Sequence, residues 1–173
     1  MRHGAALAAG SLALALVGLV PEARSQGAPP AGGWRAFEGT WSFSGRRQTV
    51  AVEGGASAAV LEVSGAVVIK SGEGLGRGFE AEAILFDDGE GVSVGRCVWT
   101  DAHGDRVFSR LKGEPLQAGR RLAGTITGGT GRYAGLEGEY AFTWQYVLPG
   151  EDGAIQGRTG RLQGRVRGTG TTP

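Results

Sequence analysis

The side chains able to do chemistry are few. Asp101-Ala102-His103-Gly104-Asp105 places one of the chain's two histidines between carboxylates, the arrangement of a general base with an orienting acid. The same five residues have the make-up of a hairpin tip, where an imidazole stands in water with no pocket around it, and an exposed turn is the preferred reading. No serine nucleophile elbow is expected beside it. Arg96 alternates with Val92, Val94 and Val98, while Glu80 and Glu82 share a face with Ile84 and Phe86. If either set faces a barrel interior, Arg96 with Glu80 or Glu82 makes a polar anchor or functional pair. The rival arrangement points Cys97 and Trp99 inward and lets Arg96 extend into water. No catalytic residue is assigned.

Metal and cofactor chemistry finds little support. Cys97 is the only cysteine, so an internal disulfide, a CxxC motif and a Cys/His zinc site are excluded by count. It lies in a strand-like run beside Val98 and Trp99 and reads as a small buried hydrophobe. Asp87-Asp88-Gly89-Glu90 has acidic groups but no distant bidentate Glu to finish a calcium loop, so a solvated hairpin tip is expected. Gly129-Thr130-Gly131-Arg132-Tyr133-Ala134 fits GxGxxA, yet Gly138 and an aromatic strand follow where a dinucleotide site needs a helix. Neither a metal nor a cofactor is expected.

The whole chain sets further bounds. Its 173 residues open on Met1-Arg2-His3, then an apolar run of 16 residues from Ala5 to Val20, then Pro21 and the small-x-small triplet Ala23-Arg24-Ser25. This is the layout of a signal peptide over 1–25, cut after Ser25, and the run is short of the roughly 20 residues that span a bilayer. A secreted or periplasmic protein with no membrane span after cleavage is expected. The cut leaves 148 residues (173 less 25) carrying 16 basic groups (18 less Arg2 and Arg24) and 16 acidic ones (17 less Glu22). A balanced chain argues against nucleic acid, because binding phosphates needs surplus cations.

The elements that must position these residues are strands. After a flexible leader over 26–33, short alternating runs broken by turn residues begin at Trp34 and continue to the end, which predicts one β domain over 34–173. Strands are expected at 40–43, 48–52, 58–63, 66–70, 78–86, 92–100, 106–112, 121–127, 139–147 and 160–167, some of them merging. No window keeps a helical period for three turns, and each of 34 glycines would weaken a helix by about 1 kcal/mol. A linear series of hairpins favours a closed antiparallel barrel, which leaves no exposed edge.

One strand is clearest. Tyr140, Phe142, Trp144 and Tyr146 recur at period two, with Glu139, Ala141, Thr143 and Gln145 between them. The aromatic face should point inward, either as plain core packing or as the wall of a ligand cavity with tyrosine hydroxyls as polar anchors.

The corner that precedes this strand resembles a known family. Gly128, Gly129, Thr130, Gly131, Tyr133 and Gly138, fed by Gly124-Thr125-Ile126-Thr127, are similar to the signature of the allene oxide cyclase-like barrels, dirigent proteins in particular. The resemblance covers about 17 residues and implies an eight-stranded antiparallel barrel that binds a small hydrophobic molecule. It departs from the family at Arg132, where an acid is usual, and at Glu137, where an Arg is usual. Arg cannot surrender a proton near neutrality, so acid–base roles do not carry over; an ion pair across the corner would survive the exchange. A second resemblance is Gly39-Thr40-Trp41, similar to the opening strand of the calycins, the lipocalin and avidin barrels. It implies that Trp41 stacks against an Arg of the last strand, Arg161, Arg165 or Arg167.

Three functions follow as expectations. The first is binding of a small hydrophobic molecule in the lumen, the second an isomerase or cyclase using cavity shape. The third is a structural or interaction protein with a solid barrel. A homo-oligomer is left open.

Overall fold

The computed structural model describes residues 33–168, the side chain of Tyr146 excepted. The signal peptide expected over 1–25 and the flexible leader expected over 26–33, Gly33 apart, lie outside the described residues. Eight strands follow in order: β1 (Arg35–Ala51), β2 (Ser57–Gly72), β3 (Gly78–Asp87), β4 (Ser93–Asp101), β5 (Arg106–Gly113), β6 (Arg121–Gly129), β7 (Glu137–Pro149) and β8 (Ala154–Arg167). Each pairs antiparallel with the next, and β8 closes on β1. The expected closed all-β barrel is the observed fold.

Two pairs of expected strands merge. The sequence breaks at Ser44-Gly45 and Ser64-Gly65 look like turns, but Gly45 pairs with Val63 and Gly65 with Phe43, so β1 and β2 run straight through them. A Cβ on Gly45 would lie 2.7 Å from the Val63 Cα. Glycine here permits close backbone approach and does not mark a turn.

Inward residues alternate along every strand and meet in one core. Phe79, Ala81, Ala83 and Leu85 of β3 are buried, as are Cys97 and Trp99 of β4. The alternation fails in β8, and again in β7 after Trp144, where Val147 takes the next inward place. Between β8 and both its neighbours the register shifts around Thr159–Arg161. The Trp41 N–H, left without a ladder partner, donates to the buried Thr159 Oγ1 at 2.9 Å.

Candidate functional site

The interior is built from rings. Phe37, Trp41, Phe43, Phe79, Trp99, Tyr133, Tyr140, Phe142 and Trp144 are each 0–5% exposed, so hardly any of their surface meets water. Trp99 and Tyr140 lie 4.8 Å apart centre to centre, as do Phe142 and Trp144, and Phe43 meets Trp144 edge-on at 5.2 Å. Tyr140, Phe142 and Trp144 thus face inward as the period predicts, but onto side chains that fill the lumen. Tyr146 pairs with Arg158 past a second register shift in β7, and its side chain lies outside the described residues.

Around Cys97 and Tyr140 the buried polar groups stay neutral. The Tyr140 hydroxyl and Ser109 Oγ are 2.7 Å apart, and Ser109 also reaches the Cys97 carbonyl at 3.4 Å. Burial pushes the Cys97 thiol from 9.0 up to about 12, against a weaker opposing effect of the polar atoms of Trp99, Tyr140 and Ser109 nearby. Burial, with Cys97 close by, also drives Tyr140 well above its ordinary value. A thiolate nucleophile has no place here.

Arg96, Glu80 and Glu82 correct the inward expectation, since all three are exposed on the outer wall. They do share a face with Ile84 and Phe86, but that face is the outer one. Burying a lone charge costs far more than leaving one isoleucine wet, so parity follows the charges.

The glycine corner is a structural plug. A single turn, Gly131–Tyr133, follows β6 and swings Tyr133 under the barrel end, where its ring lies 5.7 Å from that of Phe79. Its hydroxyl donates to Asp101 Oδ2 at 3.0 Å and accepts from the Gly76 N–H at 3.2 Å. Arg132 Nε sits 3.2 Å from Asp101 Oδ2 and 3.3 Å from Asp105 Oδ2. Thr130 is clamped to Arg106 in both directions at 2.9 Å. Gly131 has φ of +51°, and a Cβ there would collide with the Asp105 carboxylate. At Gly138 a Cβ would come within 2.5 Å of the Arg165 carbonyl oxygen. Burial works against charge on Asp101, but the His103 and Asp105 amides, the Tyr133 hydroxyl and Arg132 outweigh it and hold its pKa below 3.8.

Several expectations are corrected at this end. The ion pair does not cross the corner: Arg132 turns to Asp101 and Asp105, and Glu137 pairs with Arg167 at 2.8 Å. No last-strand Arg stacks on the buried Trp41; Arg165 and Arg167 lie 4.5 and 4.8 Å over the exposed ring of Trp34. His103 is exposed at its turn, as expected. At the other end Asp87 is not solvated: it is 3% exposed, accepts the Gly89 N–H at 3.0 Å and lies 3.9 Å from Arg47.

One motif escaped the sequence reading. Gly91-Val92-Ser93-Val94-Gly95 has the GxSxG spacing. The strand–turn–helix setting of a nucleophile elbow is missing, because Ser93 starts β4 pointing inward, 1% exposed. His103 follows the far end of the same strand, about 26 Å away at 3.3 Å per residue.

The outer wall across β2–β5 is the more informative surface. Register places Val60, Phe86, Val94 and Lys112 in one row and Glu62, Ile84, Arg96 and Arg110 in the next. The third row is Ser64, Glu82, Val98 and Phe108. Ile84 is 60% and Phe86 48% exposed. Two hollows flank them, about 860 Å³ over β3–β6 and about 530 Å³ over β1–β4, and both include Ile84 and Arg96. Among the described residues, no ion pair engages Glu62, Glu82, Arg96, Arg110 or Lys112. Within β2–β5 the wall is therefore an apolar spine with carboxylates on the β2–β3 side and cations on the β4–β5 side, and Arg46 of β1 lies beyond Glu62.

Compared with family models, curated proteins and solved structures, the chain matches none of them.

Proposed function

We propose that the protein is an interaction module, a barrel packed solid that works through its outside and meets a second copy of itself at the β2–β5 wall. The observation that carries this reading is the arrangement of that wall. An isologous contact whose two-fold axis runs along the strands exchanges left and right. Glu62 and Glu82 of one copy then face Arg96, Arg110 and Lys112 of the other, and Ile84 and Phe86 are offered to the facing hollows. Exposed apolar residues rimmed by unpaired charge are the usual mark of a protein interface.

The filled interior supports the solid barrel over a lumenal binder or cyclase. Kinship with the allene oxide cyclase-like barrels belongs to the proposal and rests on the corner residues from Gly128 to Gly138. Export belongs to it as well, supported by the basic, apolar and small-residue order of residues 1–25.

Sedimentation velocity over a concentration series tests the reading. A dimer is expected that weakens as salt rises, since screening removes the flank attraction. Ile84→Glu should leave the protein monomeric with an unchanged circular dichroism spectrum. A protein monomeric throughout, or a dimer indifferent to that substitution, would refute it.

A further inference from the structure

A groove of about 700 Å³ runs along the opposite wall, over β6, β7 and β8. Its floor is small, with Ala123, Ala141 and Thr143 outermost, and long side chains stand at its edges: Arg121, Arg161 and the Arg165–Glu139 pair. That pair is closed on itself at 2.6 Å, so Glu139 is already engaged. Arg121 and Arg161 have no carboxylate partner among the described residues. They flank one position, because Arg121 pairs with Thr143 in register and Thr143 pairs with Gly160, next to Arg161. Two strand spacings separate them, about 10 Å, a span two guanidinium arms can close from either side.

Arg161 also holds an unusual backbone. Its φ is +52°, in the left-handed region. It sits where β8 leaves register with both neighbours, as an extra residue opposite Phe142. For a residue with a side chain this conformation is strained, and glycine would occupy it freely. Gly160 is the residue before it, so the chain carries its glycine one place away from the strained position. Bulges of this kind re-aim a side chain, and here the re-aimed group is a second unpaired cation on the groove.

We propose that this groove binds one oxyanion group (carboxylate, sulfate or phosphate) of a small ligand, held between Arg121 and Arg161 over Thr143. Guanidinium presents paired N–H donors that match such oxygens two at a time, and a threonine hydroxyl can donate a further bond. The site takes a single anion: the remaining groove charge is the compensated Arg165–Glu139 pair, and the chain after residue 25 is balanced overall. A polyanion would meet no continuing cationic track.

Calorimetric titration with inorganic phosphate, glucuronate and, as a neutral control, glucose tests this on the intact protein. Saturable one-to-one binding of an anion, absent with glucose, is expected. Glucuronate tighter than phosphate assigns a sugar-borne carboxylate, and the reverse assigns a free or esterified phosphate. Arg121→Gln should weaken the binding at least tenfold. Arg161→Gly should do the same while its thermal midpoint stays level or rises, because the strain is relieved. A purely structural Arg161 would instead lose stability and leave binding intact. No saturable anion binding, or binding unaffected in both variants, overturns the proposal.

Discussion

Cys97 shows how burial silences a reactive group. In the folded barrel its thiol titrates at about 12, Tyr133 likewise at about 12 and Tyr140 well above 10.0, each chiefly through burial. For all three the folded value lies above the unfolded one, so the neutral form is the one folding favours. Their contribution is fully present below about pH 8.5 and is lost as pH rises through the folded values. Urea unfolding followed from pH 8 to pH 11 should show falling stability, with the earliest part of the fall removed in Cys97→Ala. Asp101 has the opposite sign. Its folded pKa is depressed, so its contribution is present above about pH 4 and disappears as pH falls through the folded value. Asp101→Asn should be less stable at pH 7 yet lose less between pH 5 and pH 3. At this scale the sequence was informative wherever a residue's own chemistry decides its place, as with Cys97 buried or His103 wet. It was silent on partners distant in the chain. Nothing local ties Tyr133 to Asp101, 32 positions earlier, or Arg132 to Asp105, 27 earlier.

Strands were legible to the extent that one parity held all the bulky apolar residues. Strand β7 met that condition as far as Trp144, and Tyr140, Phe142 and Trp144 point inward as the period requires. Strands β3 and β4 did not, because Ile84, Phe86, Val94 and Val98 form a second apolar set on the outer face. Only the charges among them distinguish outside from inside. Breaks in the ladder were illegible, since Thr159-Gly160-Arg161 carries no turn signature beyond one glycine. Thr159 matters to that break through its hydroxyl alone. Thr159→Val keeps the shape but strands the buried Trp41 N–H, and should cost about 1–3 kcal/mol in chemical denaturation. Thr159→Ser, which keeps the donor and acceptor, should recover part of that loss.

As a whole molecule the barrel spends its aromatic residues on filling itself and leaves its outer walls chemically distinct. One wall has an apolar spine between opposite charges, and the other carries two cations without partners. Closure of the sheet was foreseeable from hairpin spacing, whereas a filled lumen and an open one present the same alternating pattern along each strand. Native mass spectrometry of the protein purified from its own source addresses the division between inside and outside most directly. The expected spectrum is a dimer with no apolar molecule enclosed in either barrel, shifting to monomer with Ile84→Glu. A monomer carrying a tightly held apolar molecule, released only when the barrel unfolds, would contradict it.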